Sequence, residues 1–282
     1  MRDVEIGGKV CLGSGRPLAW IVGPGAGQDE SRLAATAERL KKLSEKLDVP
    51  LVFKAGPGSE SLEVPSREGR RELLFEKLAW IRSQFELPVL GEVESADDLE
   101  AAGQLLDVIQ VPDFLCEQSL PLAAATATGR PVSVRRTRFV SPEAPSRTGA
   151  GLASELAREL ERRESAGVML TEAGVSFGYE NVLADMTMIP RLRALGWPVV
   201  FDVVPLGRCL AGAGAGSCLL GPRELLTSLL RAAVAAGAAA VSLEIALGPA
   251  HAGQGWPSLE ELEELMQELH GLGDWMRLRG YA

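Results

Sequence analysis

A chain of 282 residues, 46% of them hydrophobic, can bury the core of one large α/β domain or two small ones. Its formal net charge of −9 argues against a nucleic-acid surface, which needs a basic stripe. The longest apolar run, Ala232 to Leu247, is interrupted by Gly237, Ser242 and Glu244, so no membrane span is expected.

The N-terminus, MRDVEIGGKV, has acids and no apolar segment, and it does not read as a secretory signal. A cytoplasmic location is expected. The four cysteines (Cys11, Cys116, Cys209, Cys218) lack CxxC spacing and read as reduced thiols. The two histidines, His251 and His270, restrict metal and acid–base chemistry.

Val4 to Leu12 alternates apolar and polar residues around a Gly-Gly pair and predicts a β-hairpin. Eight rounds of one pattern come next. Leu18 to Val22 is a short apolar strand with a GPGAGQ loop. Asp29 or Ser31 can cap a helix with Leu33, Ala37, Leu40, Leu43 and Leu47 on one face. Pro50 to Lys54 is strand two, and Arg70 to Phe85 is its helix, with Leu73, Leu74, Leu78 and Ile81 inward. Pro88 to Val93 is strand three, with a short helix after Ser95. Asp107 to Val111 is strand four, with a helix from Phe114 through an Ala-rich stretch. Pro131 to Arg136 is strand five, followed by a charged helix from Ala153 to Arg163. Val168 to Thr171 is strand six, with a helix after Asn181. Val199 to Val204 is strand seven; a glycine-rich loop leads to a helix near Arg223 to Ala236. Ala240 to Ile245 is strand eight. Ser258 then caps a last helix as one half of a capping box with Glu261, and Leu259, Leu262, Leu265, Met266 and Leu269 share one face.

Short strands that are apolar on both faces and alternate with helices imply a parallel sheet covered by helices. Eight such units in this length predict an α/β fold, a (β/α)8 TIM barrel. No linker divides it, so residues 1–282 read as one domain, with the hairpin (1–15) closing the barrel bottom.

Several motifs then match one family in order. Phe53-Lys54-Ala55 resembles its FKA at the end of strand two. Asp107 to Leu115, DVIQVPDFL, resembles its DVIQ-x-P-x-FL, and Arg138 to Pro142 its QF-x-SP. Ser176 to Asn181 with Asp185-Met186 resembles its FGYNN-x-x-x-DM. Pro198 to Asp202 and Leu243-Glu244 resemble its strand-seven and strand-eight motifs. The family is that of the 3-deoxy-D-manno-octulosonate-8-phosphate synthases, related to the type I DAHP synthases. The resemblance implies a barrel that condenses phosphoenolpyruvate with arabinose 5-phosphate at the C-terminal ends of its strands. Some members need a divalent metal and others do not.

The resemblance also implies losses. The family's metal set falls on Gly25, Pro205, Glu244 and Gly255, and only Glu244 can ligate. The family's phosphate-gripping motif after strand two is Ser59 to Glu63 here, with two acids where cations are expected. Ala173, in Glu172-Ala173-Gly174, stands where the family places an arginine for the phosphoenolpyruvate phosphate. The residual substrate-binding candidates are Lys54, Gln110, Phe114 and Arg136, the last at the position of a family lysine; no catalytic residue is assigned. No cofactor and no divalent metal are expected.

Alternatives stay open at several residues. Lys54 reads as a ligand-facing cation or as a charge paired with Glu92 or Glu63. Of Arg135 and Arg136 only one can face the barrel, and the resemblance favours Arg136. Glu244 reads as a salt-bridge partner of Lys54 or Arg136. His251 could replace a missing ligand, and Gly23-Pro24-Gly25 could cradle a phosphate. Phe177 and Tyr179 read as packing or subunit-contact residues.

Two functional classes compete. One is a synthase relative without the family reaction, kept as a structural, regulatory or ligand-sensing protein. The other is an active aldolase- or synthase-type transferase on a smaller anion; weak retained synthesis is a third reading. The first is preferred, because the losses fall at site positions while core motifs persist. A homotetramer and a small phosphorylated or carboxylate ligand are the expected partners, with no nucleic acid and no membrane.

Overall fold

The computed structural model describes residues 1–25, 30–56, 67–116, 119–136, 166–176, 182–207, 222–247 and 256–280. Val4–Ile6 (β1) and Val10–Leu12 (β2) pair antiparallel, with Val4 opposite Leu12. Gly7 and Gly8 sit at φ of 56° and 68°, a region that side chains disfavour, which is why the turn carries a Gly-Gly pair.

Eight parallel strands close into a barrel: β3 (Ala19–Pro24), β4 (Leu51–Lys54), β5 (Val89–Glu92), β6 (Val108–Val111), β7 (Val132–Arg135), β8 (Val168–Glu172), β9 (Val199–Asp202) and β10 (Ala240–Ile245). β10 pairs with both β9 and β3, so no edge remains open. Among the described residues the helices are α1 (Glu30–Leu47), α2 (Arg67–Phe85), α3 (Leu99–Leu105), α4 (Asp113–Cys116), α5 (Ser119–Ala127), α6 (Met188–Arg193), α7 (Pro222–Ala235) and α8 (Leu259–Leu278). The fold is a (β/α)8 TIM barrel with an N-terminal hairpin.

Alternation along each strand divides the core in two. Trp20 and Val22 of β3 join the apolar layer between strands and helices. Ala19 and Ile21 point inward with Val52, Leu90, Val108, Met169, Val200 and Ala240, and pack against Val4, Ile6, Val10 and Leu12 of the hairpin. All the inward residues of this layer lie toward the N-terminal ends of their strands, so that half of the lumen is filled with apolar side chains. Gly167 opens the β8 segment at φ 121°, and a Cβ there would stand 2.9 Å from Val4 Cγ2. Only glycine lets the hairpin approach this closely.

α1 buries Leu33, Ala37, Leu40 and Leu43 as its spacing predicts. It begins at Glu30, which places Ser31 in its first turn, and the other cap considered, Asp29, lies outside the described residues. α2 buries Leu74, Leu78 and Ile81, and also Phe75, whereas Leu73 is only half-buried. α8 starts with the expected capping box. Glu261 N–H donates to Ser258 Oγ at 3.3 Å, and Ser258 N–H donates to Glu261 Oε2 at 2.8 Å.

One helix departs from expectation. α6 begins at Met188, not after Asn181, because Val175 and Leu183 form an antiparallel bridge with N–H to carbonyl distances of 2.7 and 2.8 Å. Gly174, at φ 90°, makes the turn that allows it. Backbone groups committed to a bridge cannot also enter a helix. Asp185 then supports the delayed start, its Oδ1 accepting the Thr187 N–H at 2.9 Å. The expected helix Ala153 to Arg163 lies outside the described residues.

Candidate functional site

Continuing each inward row toward the C-terminal ends of the strands turns the lumen from apolar to polar. Past Val52 comes Lys54, past Leu90 comes Glu92, and past Val108 comes Gln110. β7 contributes Ser133 and Arg135, β8 Thr171, β9 Asp202, and β10 Ser242 and Glu244. These are polar residues in otherwise apolar strands, and their period of two puts them all on the inner face. In a TIM barrel this end is where ligands meet protein.

Asp202 is the hub. It is 2% exposed. Its Oδ2 accepts from Arg135 Nη2 at 3.0 Å, and its Oδ1 accepts from Ser242 Oγ at 3.0 Å and from the Val204 N–H at 3.2 Å. Lys54 Nζ donates to Ser242 Oγ at 2.7 Å and stands 3.7 Å from Asp202 Oδ1. Arg135 Nη2 also reaches Glu92 Oε2 at 2.9 Å, so one guanidinium nitrogen bridges two carboxylates. Burial pushes the Asp202 carboxyl upward, but the charges of Lys54 and Arg135 and the bonds from Ser242 and Val204 outweigh it and hold the group below its ordinary value. Burial likewise works against the Arg135 charge, and Glu92, Asp202 and Asp113 more than compensate, raising its value. On the wall beside this hub, Ser133 Oγ and Thr171 Oγ1 share a hydrogen bond of 2.7 Å.

The lumen therefore takes Arg135 where the resemblance favoured Arg136. The reason is register. Val132 and Val134 pack against the helices, so Ser133 and Arg135 must point inward. Arg136 is buried in a forked pair with Glu172: Nε donates to Oε2 at 2.6 Å and Nη2 to Oε1 at 2.9 Å. Glu172 Oε1 also accepts the Gly174 N–H at 2.8 Å, which holds the turn after β8. Such a pair fixes two strand ends to each other; one partner removed would leave a buried charge.

The other expected residues are scattered. Gln110 is 5% exposed, and its Nε2 has no acceptor among the described residues. Phe114, in α4 just beyond β6, is 52% exposed. Lys54 has Asp202 and Ser242 as neighbours in place of the Glu92 partner considered for it, since Glu92 turns to Arg135. Glu244 faces β3, where a Cβ on Gly25 would stand 3.0 Å from its Oε2. Ala173 is 1% exposed, two residues past inward-facing Thr171. Pro205 follows Asp202 in a helical turn at 204–207. Glu63, Gly255, His251, Phe177 and Tyr179 lie outside the described residues, as do Ser59 to Glu63 as a segment.

Asp202 is a surviving residue of the strand-seven motif, whereas Ser242, Ser133 and Thr171 were not site candidates from sequence. The signal that could have found them is a polar residue on the inward phase of an apolar strand, as in VSVR, LTE and VSLE.

Among the described residues no group of three or more His, Cys, Asp or Glu side chains is arranged to hold a metal ion. Gly25 and Pro205 bring no donor, and both Asp202 oxygens already face protein cations and hydrogen-bond donors. Of the expected metal positions that are described, only Glu244 offers a ligand, and that one donor does not make a divalent-metal site.

Comparison with known proteins gives one consistent match. Residues 2–270 match the model of the DAHP synthetase I family. The chain is similar to proteins named 2-dehydro-3-deoxyphosphooctonate aldolase from several bacteria. It is 37% identical to that of Pelobacter propionicus, over 86% of this chain and 86% of the relative. It is 33% identical to that of Geobacter sp. strain M21, over 96% of this chain and 97% of the relative. It is 35% identical to that of Desulfatibacillum aliphaticivorans, over 94% and 95%.

Proposed function

Because the chain belongs to the DAHP synthetase I family, we propose that it is an octulosonate-phosphate synthase-like barrel that no longer performs the family condensation and serves as a ligand-sensing protein. One observation carries this reading. The lumen cations Lys54 and Arg135 are held by Asp202 and Glu92. A site for two phosphates and a carboxylate needs cations available to the ligand. Alanine at 173, where the resemblance expects an arginine, agrees with that.

The test is phosphate release from phosphoenolpyruvate with arabinose 5-phosphate by the purified chain. The expected result is no release above background; release at an ordinary enzymatic rate would sink the reading. Ala173→Arg alone is expected not to restore it, since Gly25, Pro205 and the segment after β4 also differ.

A second reading is favoured by the shifted Asp202 and Arg135, because perturbed ionisation collects at working sites. Under it the barrel is an active aldolase- or synthase-type transferase on a smaller anion. Turnover of phosphoenolpyruvate with a panel of aldehydes separates the two.

No resident metal is part of the proposal. Metal analysis of the purified chain is expected to find none at stoichiometric level, with chelator leaving the melting temperature unchanged. A homotetramer and a cytoplasmic location complete the proposal, the first by resemblance and testable by light scattering. No described helix is long and apolar enough to cross a membrane.

A further inference from the structure

The inner wall of the barrel mouth carries two kinds of groups in an unusual balance. Among the described residues its carboxylates are Glu92, Asp202 and Glu244, and its cations are Lys54 and Arg135. Asp113, at the start of α4, adds its negative field at Arg135. Among the described residues this wall carries three carboxylates against two cations, and both cations already face carboxylates, a setting that does not favour a multiply charged anion.

The same wall leaves two buried donors unanswered. Among the described residues, Gln110 Nε2 and Arg135 Nε have no hydrogen-bond acceptor. Gln110 is 5% exposed and sits inward on β6, directly across from Glu92 on β5 and from Ser133 on β7. A buried N–H without a partner is costly, and native proteins rarely keep one without a reason. Here two lie on inward rows of the same lumen, β6 and β7 being neighbours.

Unanswered donors call for a ligand oxygen that accepts. Neighbouring carboxylates call for ligand groups that donate. A hydroxyl does both, whereas a phosphate or carboxylate accepts only. We infer that the lumen mouth binds a small, uncharged polyhydroxylated ligand, an unphosphorylated sugar or polyol. Its oxygens accept from Gln110 Nε2 and Arg135 Nε, and its hydroxyls donate to Glu92, Asp202 or Glu244. This names the ligand class of the site proposed above and rests on the reading that the barrel senses a ligand there.

Thermal denaturation of the full chain tests it, with free pentoses and hexoses and their polyols as one set of probes. Inorganic phosphate, phosphoenolpyruvate and arabinose 5-phosphate form the other set. At least one free sugar or polyol is expected to raise the melting temperature, and the anions are expected not to. Gln110→Met keeps the side chain's length and removes both donors. It is expected to weaken binding of the stabilising sugar roughly tenfold by calorimetry. Its melting temperature without ligand should equal or exceed that of the wild type, because an unpaired buried donor has gone. Arg135→Lys, which keeps the charge and removes Nε–H, should weaken the same sugar independently.

No shift with any sugar or polyol overturns the inference, as does a sugar that binds wild type and both variants equally. Stabilisation by phosphate or phosphoenolpyruvate alone overturns the ligand class and leaves the sensing reading in place. Phosphate release from phosphoenolpyruvate at an enzymatic rate overturns the loss of the family reaction instead.

Discussion

Asp202 shows how much a single side chain can organise. Four donors or charges converge on one buried carboxylate, drawn from β4, β7, β10 and the turn after β9. Its removal would leave two buried cations short of a counter-charge. Asp202→Asn is therefore expected to cost about 3–5 kcal/mol of stability, read from urea denaturation at neutral pH; a loss no larger than that of a surface substitution would contradict the hub. The sign of the pH dependence is set as well. The group's folded value lies below its ordinary 3.8, so its contribution is complete above that value and is lost as pH falls through the depressed one. Acid denaturation of the Asp202→Asn variant should accordingly be shallower below about pH 4 than that of the wild type. Lys54 was legible as a lumen residue because it ends an apolar strand. The exchange of Arg136 for Arg135 was not, because two adjacent arginines look alike until the register of the valines beside them is known.

At the scale of the element, local chemistry was read with the least loss. The capping box of α8 is set by residues three apart and needs no distant partner, so Ser258 and Glu261 announced it. Ser258→Ala is expected to cost about 1 kcal/mol, seen as a lower urea midpoint with an unchanged slope. Strand positions were equally legible, since each is a short apolar run between punctuating prolines, glycines and acids. The start of α6 was not legible. It depends on a bridge between Val175 and Leu183, formed only once Gly174 has turned the chain. Gly23 belongs to this scale too. A Cβ there would stand 1.6 Å from the Lys54 carbonyl oxygen, so β3 and β4 meet only because the residue is glycine. Gly23→Ala should force the two strands apart and abolish soluble, cooperatively folding protein. A variant that melts like the wild type would show that the approach is not required.

Across the whole molecule, the hairpin and the polar mouth are the two ends of one lumen. Val4, Ile6, Val10 and Leu12 are at most 2% exposed, and they cover the apolar inner layer contributed by seven of the eight barrel strands. Burying side chains of this kind contributes about 1.5–3 kcal/mol each. Deleting residues 1–15 should therefore expose the inner layer, shown by strong binding of a hydrophobic dye and loss of a cooperative transition. A truncated chain that stayed soluble and cooperative would mean the strands close the floor without help. The polar end ties Lys54, Arg135, Asp202 and Glu92 into one connected network, and the proposed loss of the family condensation rests on that engagement.

Sequence alone determined the strands, their order and most of the described helices, because helix and strand periods, caps and turn glycines act over a few residues. Together with the ordered motifs it also determined the family and the barrel. Only the tertiary structure decided the site. Lys54, Arg135, Asp202 and Ser242 are distant in the chain and meet only after eight strands have closed in register. Which donors find acceptors, and which cations are already paired, is a property of that closure and of no shorter stretch.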